Sequence, residues 1–218
     1  MSTVGWFSIP IHSEKAEGEE YDRIQKELFD TYNQLEFSQN PQWSSDTHEL
    51  SPNPFGSDTL FEYKCTNFLD FLNRVLENYI GQVHSLTRPS KSMGDMPPYP
   101  SDKLEYQYII TSSWFTKTIK GRYAHEHDHN GLDISGVYYL QTNGRDGNLV
   151  LSNPLRMLSN NFIMYMTTCR DQKVILEQGR LVLWPSFIKH RVETNTTDDD
   201  RISISFNIKI TASNQQPL

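Results

Sequence analysis

The sequence has little cysteine and no long apolar run, and each absence argues against a class of protein. Cys65 and Cys169 are its two cysteines, and it contains no Cys-x-x-Cys pair. This argues against a zinc ribbon or a disulfide framework, so we expect reduced thiols in a cytoplasmic protein. No apolar run approaches the ~20 residues that cross a bilayer. The first ten residues also lack the features of a signal peptide, and we expect no membrane partner.

Positive charge is scarce as well. The 20 Lys and Arg residues are outnumbered by 27 Asp and Glu residues, which gives a net charge of −7. This balance disfavours tight binding to duplex DNA, because surfaces that bind DNA are usually basic.

The length of 218 residues suits one good-sized domain. Aromatic residues are frequent at 12%, which is typical of short strands with aromatic packing.

Two regions of different pattern divide the chain. Residues 1–100 predict a helical buttress with loops, and residues 101–218 predict a β-rich core that completes a single compact domain. Apolar residues at three- and four-residue steps predict one helix from Tyr21 to Leu35 and a second from Asn67 to Tyr79. Gly81 is the expected stop of the second helix.

The β-rich region contains short apolar runs separated by Asn143-Gly144 and Asp146-Gly147, both favourable turn pairs. From Arg201 to Ile210, apolar and polar residues alternate, so one face of this strand is polar. In an open sheet that face would contact water, and in a small barrel it would line a ligand cavity. The pattern predicts a mainly β sandwich or barrel. The expected strands are 104–110, 136–140, 148–151, 180–184 and 201–210.

Histidines cluster in this region. His127 and His129 are two residues apart, and His190 follows about sixty residues later. Residues two apart in a strand point to the same face, so His127 and His129 could hold a non-haem metal together with His190. Three alternatives stay open: His125 pairs with His127, Asp128 replaces one histidine, or the cluster is a chance surface turn. Without a His-x-Asp pair, the metal identity also stays open, since imidazole suits zinc and nickel too.

Several motifs occur in order from Trp114 to Ile208: His127-x-His129, Ser135-Gly136-Val137-Tyr138-Tyr139, Trp184-Pro185-Ser186 before His190, and Arg201-Ile202-Ser203-Ile204-Ser205-Phe206-Asn207. They resemble the 2-oxoglutarate/iron(II) oxygenase family of marine bacteria and their phages. The resemblance implies a double-stranded β-helix, a cupin-like jelly roll with the N-terminal helices packed outside. It also implies Fe(II) and 2-oxoglutarate as cofactors, O2 as co-substrate and, for a phage protein, the host cytoplasm.

The resemblance gives roles to individual residues. It places the metal on His127, His129 and His190, and the distal carboxylate of 2-oxoglutarate on Arg201, with Tyr139 and Ser203 beside it. A guanidinium suits that carboxylate because it can donate two parallel hydrogen bonds. The alternative for Arg201 is an exposed ion pair with the acidic run 198–200, and for Tyr139 a packed core position.

The implied activity is hydroxylation of an unidentified substrate with release of succinate and CO2. A protein side chain, a nucleobase and a small metabolite all fit as substrate. Two other hypotheses compete: a three-histidine cupin-like metalloenzyme that does not use 2-oxoglutarate, and a non-enzymatic jelly-roll module. The N-terminal helices also offer a homodimer surface, and residues 157–172 are interpreted as either a lid or an edge strand.

Overall fold

The computed structural model describes residues 9–39, 49–50, 58–86, 106–158, 160–162 and 170–212. Its helices are α1 (Gly18–Tyr32), α2 (Thr59–Glu62) and α3 (Thr66–Leu86). Its strands are β1 (His12–Lys15), β2 (Ser38–Gln39), β3 (Glu49–Leu50), β4 (Tyr106–Thr118), β5 (Ala124–His127), β6 (Ile134–Gln141), β7 (Leu149–Leu151), β8 (Gln172–Lys173), β9 (Arg180–Pro185), β10 (His190–Val192) and β11 (Arg201–Ala212).

Within these residues the strands form two antiparallel sheets. The larger sheet has the order β1-β9-β6-β11-β4-β3-β2, and the smaller sheet has the order β5-β10-β7-β8. Strand β11 lies inside the larger sheet, paired with β4 on one side and β6 on the other. This arrangement confirms the predicted mainly β architecture of two sheets.

The two faces of the larger sheet bury different cores, because successive side chains of a strand point to opposite faces. Tyr138 and Phe206 point outward and pack with Phe68 of α3. Tyr139 points inward and packs with Leu149 of the smaller sheet. The helices therefore cover the outside of the larger sheet, and the space between the sheets is left for a ligand.

The second helix is longer than predicted, because α3 continues through Gly81 to Leu86. A Cβ atom at Gly81 would meet nothing within 4 Å, so the glycine marks neither a turn nor a close contact. One glycine in a helix costs only about 1 kcal/mol, and the buried stripe of α3 outweighs that cost. Glu27 of α1 strengthens the start of α3 by accepting hydrogen bonds from the backbone N–H groups of Asn67 and Phe68.

Some expectations fall outside the described residues. The boundary between residues 100 and 101 lies there, so the division into two regions stays a prediction. Half of the segment 157–172 lies there too, namely residues 159 and 163–169, so the choice between a lid and an edge strand stays open, although its last residue begins β8. Among the helices that the structure describes, none is long and apolar enough to cross a membrane.

Candidate metal centre and ligand pocket

Two of the three predicted histidines lie opposite each other in the smaller sheet. His127 ends β5, and its Cα partner across the antiparallel pair is His190, the first residue of β10. Directly opposite residues of an antiparallel pair bring their side chains together on one face. The ring centroids of His127 and His190 are 4.3 Å apart. Strand pairing therefore joins residues that are distant in the sequence.

His129 reaches the same place by another route. The strand ends at His127, so His129 lies in the following turn rather than on the strand face that the sequence predicted. Its backbone N–H donates to the carbonyl of Ser186, at 3.1 Å, which fixes the turn against the chain leading to His190. The His129 ring centroid lies 5.2 Å from those of both His127 and His190.

The three imidazoles form a group that could hold a metal ion, since one ring nitrogen of each lies within 4.8 Å of the others. His127 donates from Nδ1 to the carbonyl of His125, at 2.7 Å, and His190 donates from Nδ1 to the carbonyl of Ile188, at 3.1 Å. A carbonyl only accepts, so each Nδ1 carries the proton and each Nε2 keeps its lone pair. Such backbone contacts orient metal-binding histidines.

Burial keeps the cluster neutral. It lowers the pKa of His127, lowers the pKa of His129 to about 4, and lowers the pKa of His190 well below its ordinary value. The neighbouring imidazoles add to the effect on His129 and His190. At neutral pH the three rings are therefore neutral, and each keeps one nitrogen free of a proton, as a metal ligand must.

The structure places the two alternative ligands elsewhere. His125 is exposed and packs edge-on against Tyr123, with ring centroids 4.8 Å apart. Asp128 accepts a hydrogen bond from the backbone N–H of Asn130, at 3.3 Å, within the turn. Among the described residues, neither belongs to the group that could hold a metal.

A pocket between the sheets contains the histidine cluster and extends to Arg201. Its walls combine the histidines with aromatic, apolar and hydroxyl side chains, and Arg201 is the other basic group among its described lining residues. The predicted residues that line it are His127, His129, His190, Arg201, Tyr139 and Ser203.

Arg201 is buried, with 4% of its surface exposed, so the alternative of an exposed ion pair is wrong. Two acids of the run 198–200 pair with other side chains: Asp198 with Lys120, and Asp200 with Lys117. The guanidinium instead donates from Nη1 to the carbonyl of Gly147 and from Nη2 to the hydroxyl of Thr118, at 3.0 Å. Its Nε is buried and has no hydrogen-bond partner in the described part of the chain. A carboxylate ligand would supply the missing acceptor.

Tyr139 and Ser203 lie next to each other in the pocket wall, as Cα partners across β6 and β11. Both are buried, and burial raises the pKa of Tyr139, so its phenol stays protonated and able to donate a hydrogen bond. The positive charge of Arg201 lowers the pKa of the same phenol, against the larger effect of burial. Tyr139 thus belongs to the arginine end of the pocket, and its neighbour Tyr138 faces the helices and accepts a hydrogen bond from Gln25, at 3.0 Å.

A buried polar network lies beside the histidines. The Ser135 hydroxyl donates to Oδ1 of Asn207, at 2.9 Å, so its contact with the Ser186 hydroxyl must be donated by Ser186. Asn207 and Ser135 are Cα partners across β11 and β6. The carbonyl of Ser186 also accepts a hydrogen bond from the backbone N–H of His129, so this network supports the turn that positions His129.

Other contacts were not evident from the sequence. Trp184 belongs to the buried inner core and also lines the pocket, with its ring centroid 5.0 Å from that of His190. Thr118 and the carbonyl of Gly147 hold Arg201, and neither has a motif that indicates this role. Trp114 also lines the pocket, with its ring centroid 6.1 Å from that of His129.

Comparison with known proteins agrees with this geometry. Residues 112–207, a little under half of the chain, match the model of the family described as "Putative 2OG-Fe(II) oxygenase". The match begins in β4 and ends in β11, and it includes the three histidines and Arg201. No curated protein matches the sequence.

Solved structures share the fold. HygX from Streptomyces hygroscopicus, with nickel and 2-oxoglutarate bound, is 12% identical over 92% of this chain and 83% of its own, with a TM-score of 0.57. A prolyl hydroxylase from Trichoplax adhaerens, in complex with a hypoxia inducible factor peptide fragment, is 14% identical over 91% and 83%, with a TM-score of 0.56. The α-ketoglutarate-dependent epimerase SnoN is 10% identical over 92% and 77%, with a TM-score of 0.58. These likenesses confirm the predicted double-stranded β-helix.

Proposed function

We propose that this protein is an oxygenase that depends on Fe(II) and 2-oxoglutarate. The observation behind the proposal is that one pocket joins three neutral imidazoles to a buried guanidinium whose Nε has no partner among the described residues. The family match over residues 112–207 and the fold of HygX, which binds nickel and 2-oxoglutarate, support the same cofactors.

The residues of the chain divide the work between the two ends of the pocket. His127, His129 and His190 would bind the metal through their unprotonated ring nitrogens, and their backbone contacts hold the rings in place. Arg201 would bind the distal carboxylate of 2-oxoglutarate, and the protonated phenol of Tyr139 and the hydroxyl of Ser203 lie beside it. The apolar side chains of the walls would limit the access of water to the reacting atoms.

When bound, the metal and the oxo acid supply the chemistry that uses O2 to oxidise an organic substrate, with succinate and CO2 as products. We propose hydroxylation of a C–H bond in a protein side chain, a nucleobase or a small metabolite. A prolyl hydroxylase with a bound peptide shares this fold, and so does an epimerase, so the fold alone does not select the reaction.

One observation favours a second candidate, a three-histidine metalloenzyme that does not use 2-oxoglutarate. The described group of ligands contains histidines and no carboxylate, which leaves a bound dication more positive than a two-histidine, one-carboxylate site does. The two candidates differ in whether the oxo acid binds the metal.

Anaerobic titration of the metal-free protein with Fe(II) and then 2-oxoglutarate tests the proposal. We expect the visible charge-transfer band of an iron-bound oxo acid. We expect His190→Ala to abolish the band and His125→Ala to keep it, because His125 is exposed and lies outside the ligand group. Iron binding without a band would favour the second candidate. A protein that binds no divalent metal would contradict both candidates and favour a non-enzymatic module.

A further inference from the structure

The turn between β6 and β7 is organised by a buried carboxylate. Asp146 is 0% exposed, and its two oxygens accept hydrogen bonds from the Thr142 hydroxyl, at 2.8 Å, and from the backbone N–H of Asn143, at 3.0 Å. The turn closes at Gly147, whose φ is +97°. A Cβ atom there would lie 2.1 Å from the carbonyl oxygen of Glu193, so the backbone is packed tightly against the loop that follows β10.

The same turn holds the guanidinium of Arg201. Nη1 donates to the carbonyls of Asp146, at 3.3 Å, and Gly147, while Nη2 donates to Thr118 on the neighbouring strand. Contacts on Nη1 and Nη2 fix the plane of the guanidinium and leave Nε without a partner among the described residues. The orientation of Arg201 thus depends on where the two turn carbonyls lie.

The Asp146 carboxylate also compensates the charge of Arg201 without covering it. Burial lowers the pKa of Arg201. The negative charge of Asp146 raises that pKa and so favours the protonated guanidinium. Its oxygens are engaged by Thr142 and Asn143, and the guanidinium donates to carbonyls and a hydroxyl instead. A direct ion pair would compete with a carboxylate ligand, whereas this arrangement leaves the arginine available.

We propose that Asp146 is a positioning residue for co-substrate binding, which shapes the turn whose carbonyls orient Arg201 and supplies its counter-charge. The inference rests on the proposed function, because it assigns the distal carboxylate of 2-oxoglutarate to Arg201. It predicts that loss of Asp146 weakens recognition of that carboxylate and leaves the metal end of the pocket unchanged.

The test compares two oxo acids on the Fe(II)-loaded protein under anaerobic conditions. 2-Oxoglutarate has a distal carboxylate, and 2-oxobutyrate has none. We expect Asp146→Asn to raise the Kd of 2-oxoglutarate about tenfold, as for loss of a charge-assisted contact, and to change the Kd of 2-oxobutyrate and of Fe(II) less than about twofold. In an Arg201→Gln background, Asp146→Asn should have no further effect on 2-oxoglutarate.

Asp198→Asn is the matched control, because it makes the same chemical change at an exposed acid that pairs with Lys120. Thr142→Val, which removes one hydrogen bond to Asp146, is the second variant, and we expect a smaller rise of about fivefold for 2-oxoglutarate alone. Equal weakening of both oxo acids, or unchanged binding of 2-oxoglutarate, would overturn the inference. Wild-type protein that binds neither Fe(II) nor 2-oxoglutarate would instead contradict the proposed function.

Discussion

His190 is buried and His127 and His129 are partly buried, and this has a consequence for stability. Their pKa values lie below the value of about 6.5 that they would have in the unfolded chain. As the pH falls below 6.5, these histidines therefore bind more protons in the unfolded state than in the folded state. The stability contribution of these groups is complete above pH 6.5 and is lost as the pH falls below it; for His129 the loss extends to its pKa of about 4.

We predict that the metal-free protein loses stability between pH 7 and pH 5, a range in which most carboxylates stay ionised. Urea unfolding in the presence of a chelator would measure the free energy of unfolding across this range. His129→Gln removes one of the titrating groups, so its free energy should depend less on pH. A free energy that does not change from pH 7 to pH 5 would contradict the prediction.

At the scale of single elements, two glycines with different surroundings provide a test of packing. Gly136 lies in β6, where a Cβ atom would be 2.3 Å from the Phe206 ring and 2.8 Å from Leu183. The strand approaches its neighbours this closely because the side chain is absent. Gly81 lies in α3, where a Cβ atom would meet nothing within 4 Å.

We predict opposite effects of the same substitution at these positions. Gly136→Ala should lower the free energy of unfolding by about 1–3 kcal/mol, because the core has no room for the methyl group. Gly81→Ala should raise it by up to about 1 kcal/mol, because alanine favours the helix. Urea denaturation of both variants would check this. A stabilised Gly136→Ala variant would show that β6 is less tightly packed than the structure indicates.

At the scale of the whole molecule, the pocket joins the two sheets. His127 and His190 belong to the smaller sheet, while Arg201 belongs to the larger one. Under the proposed function, a bound oxo acid reaches from the metal to Arg201. The pair of ligands would then connect the sheets, and a ligand that binds only the folded state raises its stability.

We predict that a divalent metal alone raises the Tm and that 2-oxoglutarate raises it further only when the metal is present. At a ligand concentration 100-fold above Kd, the expected stabilisation is about 2.7 kcal/mol. Differential scanning fluorimetry with Ni(II), which avoids turnover, would measure both steps. Arg201→Gln should keep the first step and lose most of the second. A second step of full size in that variant would place the distal carboxylate elsewhere.

The sequence by itself determined the secondary structure that depends on local pattern. The alternation from Arg201 to Ile210 predicted a strand with one polar face, and the structure places Arg201 and Ser203 of that face in the pocket wall. The turn pairs at 143–144 and 146–147 predicted the connection between β6 and β7. The His-x-His spacing made His127 and His129 candidate metal ligands, with His125 and Asp128 left open as alternatives.

Tertiary structure decided the features that depend on contacts between distant residues. Strand pairing sets His127 opposite His190. His129 lies in a turn, where the local pattern predicted a strand, and a hydrogen bond to Ser186 holds it near the other two histidines. Arg201 is buried away from the acidic run beside it, and its guanidinium donates hydrogen bonds to the carbonyls of the β6–β7 turn instead. Backbone carbonyls leave no mark in a sequence, and burial is a property of the whole fold, so local patterns could not predict these contacts.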